Sequence, residues 1–175
     1  MTEIDDIIIR NAEVNEFEEV GKLMVDVYSQ LEGFPKASEQ PDYYRMLLNV
    51  GELTKNNGTK IIAAVDRKNK LLGAVVFFSD MQYYGSGGIA TKEKGATGFR
   101  LLAVKNEARG KGIGKLLTLE CIERTRNINI KQVIIHTTKA MMTAWKMYEN
   151  MGFKRSTDLD FMQSELSVYG FRLIL

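Results

Sequence analysis

A chain of 175 residues is long enough to bury one hydrophobic core without disulfides or metal ions, so we expect a single domain over residues 1–175 and no metal site. Its net charge of +2 is too small for bulk attraction to nucleic acid or to a membrane surface, so we expect neither as a partner. Cys121 is the only cysteine, which excludes an internal disulfide and fits the reducing cytoplasm, and the acidic N-terminus fits neither a signal peptide nor a membrane span.

The first half of the chain predicts one strand, two helices and a hairpin. Residues 7–9 are rich in β-branched side chains, and residues 15–30 place apolar side chains at helical spacing with Asn15 as the N-cap. A second helix is expected at about residues 43–53. Residues 60–80 contain two apolar runs separated by the polar turn DRKNK, a pattern typical of an antiparallel hairpin.

The second half of the chain predicts alternating strands and helices. The predicted elements are, in order, a mobile glycine-rich connection at 83–95, the strand FRLLAV at 99–104, a helix from about Gly112, a strand at 132–137, a helix at 141–151, a strand at Phe153 and a last strand at 168–175. Two consecutive strands joined by one helix imply a parallel crossover around Gly112.

The stretch ARGKGIGKLL, at positions 108–117, has the composition of an anion-binding helix start. A helix N-terminus carries unpaired backbone N–H groups and a partial positive charge. Glycine has no Cβ, so a phosphate can approach such a backbone closely. The glycines at the start of the predicted helix are Gly110, Gly112 and Gly114, and the cations around them are Arg109, Lys111 and Lys115.

Other glycine motifs fit this stretch less well. A P-loop needs a glycine where Arg109 stands and a hydroxyl where Leu116 stands, and the glycine spacing does not give the dinucleotide-binding pattern G-x-G-x-x-G. The hairpin of a helix–hairpin–helix DNA module needs a preceding helix, whereas FRLLAV predicts a strand. A plain glycine-rich turn with solvated basic residues is the remaining alternative.

Two motifs resemble those of the GNAT N-acyltransferase superfamily. FRLLAVKNEARGKGIGKLL, at positions 99–117, is similar to its motif A, with Arg109, Gly112 and Gly114 matching the pattern [QR]-x-x-G-x-[GA]. AWKMYENMGFKR, at positions 144–155, resembles the signature A-x-x-x-Y-x-x-x-G-F. The resemblance implies a mixed α/β fold whose twisted, mostly antiparallel sheet has one splayed parallel strand pair and flanking helices. It also implies acyl transfer from acetyl-CoA to a primary amine.

The same resemblance implies how coenzyme A would bind. Backbone amides at the helix start would hold the pyrophosphate, and the pantetheine would lie between the splayed strands. Main-chain groups of the strand FRLLAV would contact the pantetheine and polarise the thioester carbonyl. The cofactor-binding residues implied in this way are Leu102, Ala103, Val104, Arg109, Gly110, Lys111, Gly112, Ile113, Gly114 and Lys115.

The resemblance implies Tyr148 as the proton donor to the departing thiolate. The same tyrosine lies on an apolar helical face, so a purely structural role in the core is the alternative. Many members of the superfamily carry a strand glutamate as general base, which this sequence lacks. His136 is one candidate for the base. Asp80, Tyr83 and Tyr84 are others, and a partly neutral amine would need no base.

The expected acceptor site involves Arg100, Tyr83 and Tyr84. Alternation along a strand predicts that Gly98, Arg100 and Leu102 share a face. If Arg100 faces the cleft, it would attract a carboxylate or phosphate on the acceptor; a solvated strand-end arginine is the alternative. Tyrosines and acidic residues in the surrounding loops favour a small cationic amine, while amino acids, antibiotics and protein N-termini stay open.

A non-catalytic acyl-CoA-binding or sensor domain of the same fold is the alternative function. It is favoured by the missing strand glutamate and by Met141, which stands where many members of the superfamily have a cofactor-binding asparagine. The terminal strand and the nine methionines suggest a homodimer.

Overall fold

The computed structural model describes residues 6–175, so residues 1–5, for which we expect no signal peptide, lie outside it. The helices are α1 (Phe17–Ser29), α2 (Pro41–Leu48), α3 (Ile113–Asn127) and α4 (Met142–Asn150). The strands are β1 (Ile8–Asn11), β2 (Thr59–Val65), β3 (Leu71–Phe78), β4 (Thr97–Val104), β5 (Gln132–Thr137), β6 (Lys154–Arg155), β7 (Phe161–Gln163) and β8 (Leu166–Ile174).

The strands form one mixed sheet in the order β1-β2-β3-β4-β5-β8-β6, and β7 pairs with β8 beside this path. Neighbouring strands are antiparallel except β4 and β5, which are parallel. The expected hairpin is therefore β2–β3, and the expected parallel crossover runs from β4 through α3 to β5. The predicted fold class is confirmed: a mostly antiparallel sheet with one parallel pair and flanking helices.

The sheet separates two apolar cores. Helices α1 and α2 pack on one face, here named the α1 face, together with Tyr84. Helices α3 and α4 pack on the opposite α3 face, together with Phe99 and Tyr148. Ile113 and Leu117 of α3 are 2% and 0% exposed, and burying such a side chain stabilises a fold by roughly 1.5–3 kcal/mol. The helix that follows the glycine stretch is therefore fixed firmly against the sheet.

The start of α1 differs from the prediction. Asn15 lies inside a 3-10 turn rather than capping the helix. The carboxylate at this end belongs to Glu16, which accepts a hydrogen bond from the Glu13 N–H at 2.7 Å and pairs with Arg10. A negative charge is favourable at a helix start. The prediction of Asn15 as N-cap is therefore wrong.

Three connections are more structured than their composition predicts. The second helix begins at Pro41, a favoured first helical residue, and continues after Leu48 as a 3-10 turn. In the connection 83–95, Tyr84 and Ala90 are fully buried, because the aromatic ring anchors this segment in the core of the α1 face. The segment before the predicted last strand contains β7, which forms a hairpin with β8.

A bulge interrupts β4 in its middle. The pairing of β3 with β4 shifts between Ala74 and Val76, so one residue of β3 lies opposite two residues of β4. Leu101 has a φ of 62°, in the left-handed region that leucine rarely adopts. Strained backbone of this kind costs about 1–3 kcal/mol and is concentrated at functional sites.

The bulge changes which side chains of β4 share a face. Arg100 and Leu101 both lie on the α1 face, where Arg100 contacts Tyr84. Leu102 lies on the α3 face, where it approaches Gly114. The prediction that Gly98, Arg100 and Leu102 share one face is therefore wrong for Leu102, because strict alternation does not hold across a bulge.

Candidate functional site

A cleft opens where β4 and β5 diverge. Thr97 and Gly98 pair with Val133 and Ile134, and beyond these two pairs the parallel strands are no longer joined. Residues 99–104 therefore present backbone groups towards the gap. The cleft has a volume of about 420 Å³ and reaches from the start of α3 to the end of β5.

The start of α3 forms one end of this cleft. Gly110 and Gly112 have φ of 79° and 78°, a conformation that glycine adopts without strain. No protein atom lies within 4 Å of the place that a Cβ would take at either glycine. Within residues 6–175, the backbone N–H groups from 110 to 115 have no protein hydrogen-bond partner. Six unpaired donors thus lie at the end of the cleft, next to open space at Gly110 and Gly112.

The predicted cofactor residues divide into two groups. Those that line the cleft are Leu102, Val104, Arg109, Gly110, Gly112, Ile113, Gly114 and Lys115. The other two are Ala103, whose side chain is buried in the core of the α1 face, and Lys111, whose side chain is exposed beside the cleft. For Ala103 and Lys111, only main-chain groups are therefore candidates for contact with a ligand.

Tyr148 lies on the wall of the cleft that α4 supplies. Its ring is 5% exposed and packs against Phe99 and Phe153 with centroids 5.8 and 5.6 Å away. Burial raises the pKa of its hydroxyl, so the group stays protonated at ordinary pH. No hydrogen bond joins this hydroxyl to another group in the described part of the chain. A buried ring with an unpaired hydroxyl at a cleft is suited to proton donation.

Tyr28 is a cleft residue that the sequence reasoning did not identify. Its hydroxyl donates to the main-chain oxygen of Leu102 at 3.3 Å and thereby braces the bulged part of β4. The available signal was its spacing of four residues from Met24 on the apolar face of α1. That spacing predicts burial, but it says nothing about a partner 74 residues further along the chain.

Arg100 reaches the cleft from the α1 face. One guanidinium nitrogen donates to the main-chain oxygen of Tyr84 at 2.8 Å, and the guanidinium lies 5.7 Å from the centre of the Tyr84 ring. Among residues 6–175, no carboxylate pairs with Arg100, and none lines the cleft. The alternative of a solvated strand-end arginine does not hold, because the side chain is half-buried and lines the cleft.

His136 lines the cleft, but both of its ring nitrogens are engaged. Nε2 lies 2.8 Å from the main-chain oxygen of Leu159, and Nδ1 lies 3.0 Å from the Tyr84 hydroxyl. Because a carbonyl oxygen only accepts, Nε2 carries the proton and Nδ1 accepts from Tyr84. Burial lowers the pKa of His136 to about 4. In this arrangement His136 has no free lone pair with which to take a proton from an acceptor amine.

The remaining base and acceptor candidates lie away from the cleft. Tyr84 is fully buried, and its hydroxyl is committed to His136, so direct contact with an acceptor is contradicted. Tyr83 is half-buried and does not line the cleft. The Asp80 carboxylate accepts from the Gln82 backbone and side chain, also outside the cleft.

Thr137 adds an unexpected polar group to the wall of the cleft. It is 3% exposed, and its hydroxyl has no hydrogen-bond partner within the described residues. Such orphaned hydroxyls are rare in folded proteins and call for a ligand or a water molecule. Its position at the end of β5 gave no sequence signal beyond that of an ordinary strand threonine.

The cleft fits coenzyme A by the chemistry of its donors. A pyrophosphate needs many N–H donors and room to approach the backbone, and residues 110–115 provide both. Arg109 and Lys115 add positive charge at the same end. An extended pantetheine needs unpaired strand backbone, which β4 offers beyond Gly98.

The fold and the cleft define a mixed α/β domain whose twisted sheet opens between two parallel strands. Residues 23–153 match the Acetyltransferase (GNAT) family, and because this range is more than half of the chain, the protein belongs to that family. The resemblance inferred from the two sequence motifs is thereby confirmed.

Curated relatives match over short segments. The chain is 41% identical over 56 residues to N-acetylaspartate synthetase from Danio rerio. It is 35% identical over 57 residues to mycothiol acetyltransferase from Thermobispora bispora. The segments cover 32% and 33% of this chain, but only 20% and 19% of those relatives, which is about a fifth of their length.

Solved structures match over nearly the whole chain. An acetyltransferase of the GNAT family from Staphylococcus aureus Mu50 superposes with a TM-score of 0.73 at 18% identity, covering 97% of this chain and 99% of that one. PaiA N-acetyltransferase from Thermoplasma acidophilum, solved with coenzyme A, has a TM-score of 0.70 at 14% identity, covering 94% of this chain and 97% of that one. At these identities the likeness shows the fold alone.

Two features are absent from residues 6–175. Neither a helix long and apolar enough to cross a membrane nor a group of three or more side chains able to hold a metal ion occurs there.

Proposed function

We propose that the protein is an N-acetyltransferase that uses acetyl-CoA to acetylate the primary amine of a small molecule. The observation that carries the proposal is the row of unpaired N–H groups at residues 110–115, which opens onto the same cleft as the Tyr148 hydroxyl. One end of the cleft can bind an anion, and the Tyr148 hydroxyl on its wall can donate a proton, as the aminolysis of a bound thioester requires.

Acetyl-CoA would supply the acetyl group as a thioester. The amine would attack the thioester carbon to form an amide, and the carbon–sulfur bond would break. Overall the amine loses one proton, and coenzyme A leaves as a thiol. In this proposal the backbone of residues 110–115 binds the pyrophosphate, with Arg109 and Lys115 beside it. The unpaired backbone of β4 orients the pantetheine.

Tyr148 is proposed to pass its hydroxyl proton to the departing sulfur and to be restored by the proton that the amine gives up, so that one proton moves overall. Burial of its ring keeps the hydroxyl protonated, and packing against Phe99 and Phe153 fixes the position of the hydroxyl oxygen. A donor held in place in this way contributes about 100-fold or more to a rate.

No side chain lining the cleft is suited to act as general base. His136 donates from one nitrogen and accepts at the other, and Asp80 and Tyr83 lie elsewhere. We propose that the acceptor enters as the neutral amine, so that the rate at subsaturating acceptor rises with pH as the amine loses its proton.

The alternative function is an acyl-CoA sensor without catalysis, and the lack of a base in the cleft favours it. Release of free thiol from acetyl-CoA, measured with Ellman's reagent against a panel of amines, separates the two functions. Thiol release that depends on both enzyme and amine is expected. Thermal stabilisation by coenzyme A without thiol release from any amine would favour the sensor.

Several further expectations belong to the same proposal. A cytoplasmic location fits the single cysteine, Cys121, which is a buried thiol. No nucleic acid or membrane partner is proposed. A homodimer remains part of the proposal, but β8 is paired with β5 on one side and with β6 and β7 on the other, so the dimer would use another surface than the terminal strand.

A further inference from the structure

The positive charge of Arg100 has no role in the acyl transfer proposed above. Its guanidinium carries five N–H donors, yet within residues 6–175 it makes one hydrogen bond, to the main-chain oxygen of Tyr84 at 2.8 Å. The side chain is half-buried and lines the cleft. A partly buried charge without a counter-ion is unfavourable unless a ligand supplies the opposite charge.

Coenzyme A phosphates do not account for this cation. The free N–H groups lie after the end of β4, and Arg100 is four residues before Val104, which corresponds to about 13 Å of strand. Arg100 also lies on the α1 face, whereas α3 and Tyr148 lie on the α3 face. Arg109 and Lys115 already supply positive charge at the phosphate end.

Within residues 6–175, the surroundings of Arg100 contain no negatively charged partner for it. The groups that face it are the tyrosines Tyr28, Tyr43 and Tyr84, which burial keeps neutral, and His136, whose pKa is lowered to about 4 by burial and by Arg100 itself. No carboxylate lines the cleft anywhere in the described range. This end of the cleft is therefore positive, which argues against the small cationic acceptor that the loop composition favoured.

The rest of this end is apolar. Val27, Leu31 and Met141 line the cleft and pack on the α1 face, the same face as Arg100. A ligand here meets one fixed cation and a hydrocarbon wall. Arginine binds a carboxylate through two parallel hydrogen bonds, which fixes the orientation of the ligand as well as its charge.

We propose that the acceptor is an α-amino acid or a closely related small aminocarboxylate, with its carboxylate bound by Arg100 and its amine directed towards the strand gap. This inference rests on the proposed acetyltransferase function and specifies its substrate class. Because the wall beside Arg100 is apolar, uncharged side chains are favoured within this class.

The first test uses the unaltered protein and matched amines. Thiol release from acetyl-CoA is measured with L-phenylalanine, L-phenylalaninamide and phenethylamine, with the corresponding leucine series, and with phosphoethanolamine against ethanolamine. The amide keeps the amine and the side chain but loses the negative charge. We expect kcat/KM for the amino acids to exceed that for their amides by about 10- to 100-fold, the usual effect of losing a charged hydrogen bond.

The second test changes the arginine. Arg100→Met removes the charge and keeps the length, and it should lower kcat/KM for the amino acid about 10- to 100-fold, mainly through the KM of the acceptor. It should leave the KM for acetyl-CoA within about twofold, since Arg100 lies away from the phosphate end. Arg100→Lys should restore part of the loss, and Arg126→Met, a surface arginine on α3, serves as the matched control.

The outcomes separate the two levels of the proposal. Equal turnover of amino acids and amides would overturn the role of Arg100 and leave the acetyltransferase intact. A preference for phosphoethanolamine would indicate that Arg100 binds a phosphate instead of a carboxylate, and it would overturn the amino acid assignment. Stabilisation by coenzyme A without thiol release from any amine would overturn the substrate class and favour the sensor. Neither stabilisation nor thiol release would refute both.

Discussion

Two side chains lie on opposite faces of one sheet and still border one cleft. The Tyr148 hydroxyl lies on the α3 face and the Arg100 guanidinium on the α1 face. Among the residues that the structure describes, the hydroxyl has no hydrogen-bond partner and the guanidinium has no carboxylate beside it. Both reach the gap because β4 and β5 pair only at Thr97 and Gly98. In the proposed reaction, proton donation and acceptor binding are thus assigned to different layers of the molecule.

Replacing Tyr148 with phenylalanine tests the proton donor. Tyr148→Phe keeps the ring that packs against Phe99 and Phe153, and it should lower kcat about 100-fold or more with little change in the KM for acetyl-CoA. Steady-state thiol release is the measurement. Tyr169→Phe, which removes a tyrosine hydroxyl outside the cleft, is the control. An unchanged kcat in Tyr148→Phe would return this residue to the core.

Some of these residues could be predicted from the sequence and some could not. Tyr148 and the glycines could be identified because they belong to short motifs, in which residues that are close in sequence are also close in the folded chain. The face of Arg100 relative to Leu102 was mispredicted because a bulge adds one residue to the strand. The pairing of His136 with Tyr84 joins positions 52 residues apart, which no local pattern specifies.

At the level of elements, the start of α3 depends on backbone conformation as much as on open space. Gly110 and Gly112 both have positive φ, so the turn itself requires glycine at these two positions. Their place in the motif predicts only that a phosphate can approach the backbone. The element order was predictable from periodicity, and β5 lies at the predicted residues 132–137. The short β7 was missed because three residues are too few for a periodic signal.

Substitution of Gly112 tests the helix start. Gly112→Val should abolish the thermal stabilisation that coenzyme A gives, because a branched side chain would enter the space in front of the N–H groups. Differential scanning fluorimetry with and without coenzyme A is the measurement.

The matched control for this substitution is Gly95→Val. Gly95 has a φ of 65° and equally open space around its Cβ position, but it lies outside the cleft. Both variants should lose about 1–3 kcal/mol of stability from the positive φ, so the strain is common to the two. Stabilisation by coenzyme A that persists in Gly112→Val would contradict the assignment of the helix start.

For the molecule as a whole, the buried histidine makes stability depend on pH. Burial lowers the pKa of His136 from 6.5 to about 4, so the unfolded chain binds this proton more readily than the folded one does. The stabilising contribution is therefore complete above about pH 6.5 and is lost as the pH falls towards 4. The histidine alone should lower the free energy of unfolding by about 2 kcal/mol between pH 7 and pH 5.

Urea unfolding at several pH values tests this expectation. His136→Gln keeps a polar side chain without a titrating ring, and it should be less stable than the unaltered protein at pH 7 but lose less stability on going to pH 5. The same slope in both proteins would show that His136 titrates normally. The window above pH 5 is chosen because most carboxylates stay ionised there.

The bulge at Leu101 has a consequence for changes in chain length. Deleting Leu101 would remove the extra residue, so Val75 would lie opposite Leu102 alone, and strict alternation would return with Phe99 and Leu102 on their present faces. The left-handed backbone at position 101 would disappear with it. A single-residue deletion elsewhere in β4 would instead turn every side chain on one side of the change to the opposite face.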